Sequence, residues 1–137
     1  MKAGHKINIL LFTLVMFMVR CDPDVTMIYQ IKNLTDSPYI LNYSTEAFDD
    51  STVRLESQST QAIYYVSWIG TDVMTYGDSL GGVIYYIKVY DEDSLLVYDQ
   101  DPLVADAWDY KEDQKSIFLV NTGGSGIYTF KLKESLF

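Results

Sequence analysis

Two residue types that carry much of enzyme chemistry are almost missing from this chain: 137 residues include one cysteine, Cys21, and one histidine, His5. Beyond position 21 there is neither. That absence excludes Ser-His-Asp and Cys-His nucleophilic machinery, histidine general bases, and zinc, copper or haem held by His or Cys in the main body of the chain. A disulfide between sheets is excluded as well, because no second thiol exists. Basic residues are also few. Residues 1–20 contain Lys2, Lys6 and Arg20 and no acid, so the remainder has seven basic against nineteen acidic side chains, a formal charge of −12. Nucleic-acid binding displaces phosphate counterions with Lys and Arg, so this balance argues against DNA or RNA partners and against docking on anionic lipid. Finally, no apolar run is long enough to span a bilayer: the longest, Ile7 to Val19, has thirteen residues where a crossing helix needs about 20.

That run defines the first segment. Lys2, His5 and Lys6 precede INILLFTLVMFMV, in which Asn8 and Thr13 are the polar members. A signal-peptide core of about 7 to 15 residues fits it, so residues 1–20 are read as a secretory signal and kept out of the fold. FMVRC follows, then Asp22, Pro23 and Asp24. The arrangement resembles the lipobox of bacterial lipoproteins, although Arg20 stands where that family has Gly, Ala or Ser. With the aromatic-rich strands and Asn/Asp/Gly turns that follow, the chain as a whole resembles small lipoproteins of Bacteroidetes-type bacteria. The resemblance implies fatty acylation of Cys21, palmitate included, cleavage before it, a tether at 21–25, a domain at 26–137, and residence in the cell envelope or outer membrane with a membrane anchor. It brings no active-site residues. The alternative, a free thiol just past a signal, is uncommon in oxidising compartments.

The rest of the chain is built for strands. Twelve tyrosines, four phenylalanines and two tryptophans accompany many Val and Ile, and 48% of the whole chain is hydrophobic, enough for one packed domain. Met27, Tyr29 and Ile31 alternate, as do Tyr39 to Ser44, with a turn at Asn33 to Pro38 between them. Val53 and Leu55 follow a polar stretch. Gln61 to Ile69, QAIYYVSWI, is the most apolar run and is expected to be a central strand. Thr71 to Gly82 reads as a loop, Val83 to Tyr90 and Ser94 to Tyr98 as strands about the turn Asp91-Glu92-Asp93. Lys115 to Asn121 and Ile127 to Lys133 form an expected hairpin across Thr122 to Gly126. About eight short strands without a crossover helix predict an all-β, antiparallel two-sheet sandwich, immunoglobulin-like or transthyretin-like, with a small barrel as the alternative.

Candidate sites lie in the long segment from Asp99 to Gln114. Trp108 and Tyr110 are expected either to form an exposed aromatic platform for a sugar or protein partner or to plug the end of the sandwich. Asp99-x-Asp101 and Asp91-x-Asp93 place hard oxygen ligands at alternate positions, which suits calcium, though without the spacing of an EF-hand; the competing reading is solvated turn acids. A paired-carboxylate hydrolase is a third use of the same acids. Gly123, Gly124 and Gly126 read as a flexible hairpin loop rather than a phosphate cradle, since no Lys-Ser/Thr follows. Each of the pairs Tyr64-Tyr65 and Tyr85-Tyr86 has one ring on either side of its strand, so one ring of each is expected to be exposed on a tyrosine-rich sheet face. Asp-Ser-Thr/Leu tripeptides place Ser51, Ser79 and Ser94 in turns and resemble O-glycosylation acceptors of Bacteroidetes-type bacteria. These features predict a non-enzymatic envelope module with a protein or glycan partner and no cofactor, the alternatives being a carbohydrate- or calcium-binding module and a carboxylate hydrolase.

Overall fold

A computed structural model describes residues 24–70, 80–101, 103–117 and 120–137, apart from the side chains of residues 81 and 116–122. Residues 1–20, expected to be a signal, Cys21, and residues 71–79 of the expected loop, Ser79 among them, lie outside the described residues. Among the described residues there are eight strands: β1 (Asp24–Asn33), β2 (Tyr39–Thr45), β3 (Ser51–Leu55), β4 (Thr60–Ile69), β5 (Ile84–Tyr90), β6 (Leu96–Gln100), β7 (Trp108–Ile117) and β8 (Val120–Leu132). One helical turn, α1 (Leu80–Val83), precedes β5.

The strands form two four-stranded sheets that pack face to face and do not close into a barrel, ordered β4-β1-β8-β7 and β3-β2-β5-β6. The sandwich expected from the alternation is therefore observed, with one departure in pairing: β1 and β8 run parallel, while the other five ladders are antiparallel. The domain also begins earlier than expected, since β1 starts at Asp24 and Val25 is fully buried.

The period of two selects what goes inside. Val25, Met27, Tyr29 and Ile31 of β1 are completely buried, and they meet Leu41 of β2 and Ile84, Ile87 and Val89 of β5 in one core. Four tyrosines form a row across the inner face of the first sheet. Tyr64 is opposite Tyr29, Tyr29 is level with Tyr128, and Tyr128 is opposite Tyr110. Ring centroids along the row are 5.9, 5.3 and 4.8 Å apart, within the range of favourable aromatic pairs.

Two expectations for the strands are corrected. β4 is an edge strand, not a central one, and of its residues only Ile63 is buried. Gly123, Gly124 and Gly126 lie inside β8, all three paired with β1 and the last two also with β7, so the strands run through the loop expected at 122–126. Gly126 belongs there because a Cβ would come within 2.5 Å of Met27 Sδ, so the missing side chain makes room for the methionine.

At the end of the sandwich distant from Asp24, buried Asn33 ties two turns together. Its Nδ2 donates to the carbonyls of Ser37 (2.7 Å) and Glu56 (3.0 Å), and its Oδ1 accepts from Thr35 N (3.0 Å) and Thr35 Oγ1 (2.8 Å). The β5–β6 turn is set by Asp91, whose Oδ1 accepts Leu95 N–H at 2.9 Å, and by Ser94 at φ 65°, the left-handed position that closes a three-residue hairpin loop.

Candidate functional site

The structure disperses the aromatic platform. Trp108 is 7% exposed, with its indole tilted against Phe130 at 5.7 Å, and Tyr110 is half-buried against Tyr128. Both begin strand β7 on its inner face, so the segment from Asp99 to Gln114 is not a long loop and Trp108 has no open ring face for a ligand. Of the two uses weighed for this tryptophan, packing is the one observed. Its Nε1 is buried without an acceptor among the described residues. Burial first, and then the neighbouring Glu112, raise the Tyr110 hydroxyl to about 12.

Asp99 and Asp101 flank a cation the protein itself supplies. Asp99 is directly opposite Lys88 in the β5–β6 ladder, and Asp101 Oδ2 is 3.8 Å from Lys88 Nζ. The ammonium also lies 5.2 Å from the centre of the Tyr86 ring. Calcium requires six to eight oxygen ligands, whereas among the described residues no three His, Cys, Asp or Glu side chains are grouped to hold a metal. Asp91 is committed to its turn, and Asp93 is exposed. None of the described carboxylates is buried, so the paired-acid hydrolase lacks the sheltered pair it needs there.

The acceptor serines fare differently. Ser94 is exposed at its turn, Ser51 is half-buried at the start of β3, and Ser79 lies outside the described residues. In the tyrosine pairs Tyr65 and Tyr85 are the exposed members, but they stand on different sheets and do not make one tyrosine face.

What the sequence reading missed is an apolar edge. Tyr65 is 71% exposed and Ile69 74% exposed on the outer face of β4, and Phe48, in the β2–β3 loop, is 58% exposed. Between that loop and the strand is an open groove of about 410 Å³ lined by Ala47, Phe48, Ala62, Ile63, Tyr64 and Tyr65. Its wall is fixed by local bonds. Thr45 N donates to Phe48 O (2.9 Å), Thr45 Oγ1 accepts from Phe48 N (3.1 Å), and the Tyr64 hydroxyl donates to Glu46 Oε1 (2.7 Å). The bond to Glu46, more than burial, raises Tyr64 to about 12. A bulge in β4 next to Tyr29 leaves Ile63, one of the lining residues, as the extra residue of the strand. The signal in the sequence is the lack of any charge from Thr60 to Ile69, a pattern that a buried central strand and an exposed apolar edge share.

Comparison of the chain with protein-family models, with curated proteins and with solved structures found no significant match.

Proposed function

We propose that this chain is an exported lipoprotein of a Bacteroidetes-type cell envelope, held to a membrane by acylated Cys21, whose β-sandwich is a non-enzymatic interaction or structural module for a protein or glycan partner. The observation that carries the reading is the order of parts: a basic stub, a thirteen-residue apolar run, the chain's one thiol, and then a folded domain whose first strand begins at Asp24. Three peptide steps separate Cys21 from Asp24, so the leash is at most about 10 Å and the sandwich stays next to the anchor. One acyl chain binds membranes only marginally, while two or three hold a protein permanently. The absence of histidine and further cysteine past Cys21, and the exposure of the described carboxylates, support a role in binding or architecture.

Intact-mass analysis of the protein recovered from the envelope fraction tests the reading. The expected species begins at Cys21 and carries the mass of fatty acyl groups, and Cys21→Ser releases the domain from the membrane. Retention of Met1 together with an unmodified thiol would overturn it.

A further inference from the structure

Resting on the acylation proposed above, we infer that the outer face of the first sheet is the surface on which the domain lies against a zwitterionic bilayer, so that the anchor sets its orientation as well as its address. Alternation turns Ile28 of β1, Tyr65 and Ile69 of β4 and Ile127 of β8 outward, with small hydroxyl side chains between them. The Thr26 and Ser67 hydroxyls bond each other at 2.9 Å, and Gln30 Nε2 donates to Thr129 Oγ1 at 3.0 Å, so polar groups of this face satisfy one another. Between Asp24 at one end and Lys32 and Lys131 at the other, the described residues of these three strands turn no charge outward. The surroundings differ. β7 turns Asp109, Lys111 and Asp113 to the same side, and the outer face of the second sheet carries Arg54, Lys88 and Asp99.

Two features select lipid as the occupant. The first is the length of chain before β1 and where it ends. Cys21 is three peptide steps from Asp24, at most about 10 Å, and Asp24 pairs directly with Ile69. Paired Cα atoms lie about 5 Å apart, so Ile69 stays within about 15 Å of an acylated Cys21. The anchor thus holds the bilayer at high effective concentration beside this corner of the sheet, and even a weak interfacial contact is then made. The second feature is chemical. Tyr65, 71% exposed, and Ile69, 74% exposed, set an amphipathic ring beside an aliphatic side chain, and such groups partition into the headgroup boundary. A face that meets lipid must shed water without stranding charge. On a domain with nineteen acids and seven bases past residue 20, the neutral face beside the tether meets that condition.

The test uses protein recovered from the envelope, its acyl groups read by intact mass, reconstituted on phosphatidylcholine vesicles. N-acetylimidazole modifies exposed phenols, and peptide mass spectrometry reads each tyrosine. Tyr85, 47% exposed on the second sheet, is the internal reference. Relative to Tyr85, modification of Tyr65 is expected to fall several-fold on vesicles compared with the Cys21→Ser protein free of vesicles. Ile69→Asp, at a position already exposed, is expected to restore modification of Tyr65 while the protein stays on the vesicles. If acylated, vesicle-bound protein shows the same Tyr65 to Tyr85 ratio as the vesicle-free protein, the proposal is overturned and the acylation stands; an unmodified Cys21 overturns both. Protection of Tyr65 in the vesicle-free protein also overturns the proposal, since the face would then be covered by protein rather than by lipid.

Discussion

Replacing Gly126 by alanine tests whether the parallel β1–β8 pair is packed as described. A Cβ at this position lies 2.5 Å from Met27 Sδ, 2.7 Å from Met27 Cε and 3.0 Å from Tyr110 Cε2. Ordinary carbon contacts fall at about 3.5–4.0 Å, so the thioether must move by about 1 Å. It cannot swing into solvent, because Met27 is completely buried. Overpacking of this kind costs about 1–3 kcal/mol, against which removing glycine's freedom from the unfolded chain returns about 0.4–1 kcal/mol. The net expectation is a loss of about 1–2 kcal/mol, measured by equilibrium urea unfolding followed by far-UV circular dichroism. Met27→Ala alone should lose about 2–5 kcal/mol through the cavity it leaves. In that background the two methionine contacts are gone and only Tyr110 Cε2, at 3.0 Å, must give way, so the added methyl costs far less and the entropic gain remains. The double-mutant cycle should therefore show a favourable coupling of about 1.5–3 kcal/mol between the two changes. Equal effects of Gly126→Ala in both backgrounds would refute the reasoning, because Met27 would then not occupy the space above the glycine.

Asn33→Ala removes four hydrogen bonds and leaves the carbonyls of Ser37 and Glu56 without their amide donor; a loss of about 2–4 kcal/mol in the same urea assay is expected, and an effect within experimental error would contradict the buried hub. Tyr64, Tyr86 and Tyr110 are each held neutral to about 12, so ultraviolet titration of the folded protein should show three phenols ionising above the ordinary range near 10. Because the folded state keeps these protons while the unfolded chain sheds them, the contribution to stability is complete below pH 10 and is lost as pH rises toward 12; a Tyr64→Phe/Tyr86→Phe/Tyr110→Phe variant with the same decline would refute the assignment.

The sandwich was legible because alternation is a local signal: Val25, Met27, Tyr29 and Ile31 face inward wherever β1 is placed. Neighbour order is not local. QAIYYVSWI reads as buried on both faces, yet its position beside β1 alone leaves Tyr65 and Ile69 in solvent. The glycines of β8 mislead for a related reason. Gly123 at φ 99° looks like turn chemistry, but it and Gly126 serve close approach to β1, a partner about 100 residues away in sequence that no turn rule identifies. Trp108 shows the same limit: the acids around it resemble a loop, and only pairing of Trp108 with Phe130 across β7 and β8 reveals an inner face there. Asp99 and Asp101 could not be separated from a calcium pair without knowing that Lys88 stands opposite Asp99 in the ladder and pairs with Asp101.

The charge imbalance explains how the groove is held open. With seven bases past residue 20, few cations are available for nineteen carboxylates, and the ion pairs among the described residues use Arg54, Lys88 and Lys131. Phenols take over part of that role. Tyr64 donates to Glu46, Tyr86 donates to Asp50 with Asn42 Oδ1 sharing the same proton, and Tyr110 donates to Glu112. Glu46 and Asp50 bracket Phe48, so the two ends of its loop are pinned to different sheets, one to β4 through Tyr64 and one to β5 through Tyr86. Both phenols must be protonated to donate. The same neutral hydroxyls that spare this acidic chain two cations thus position the Phe48 wall, and at pH values where Tyr64 and Tyr86 ionise, phenolate against carboxylate would release that wall of the groove.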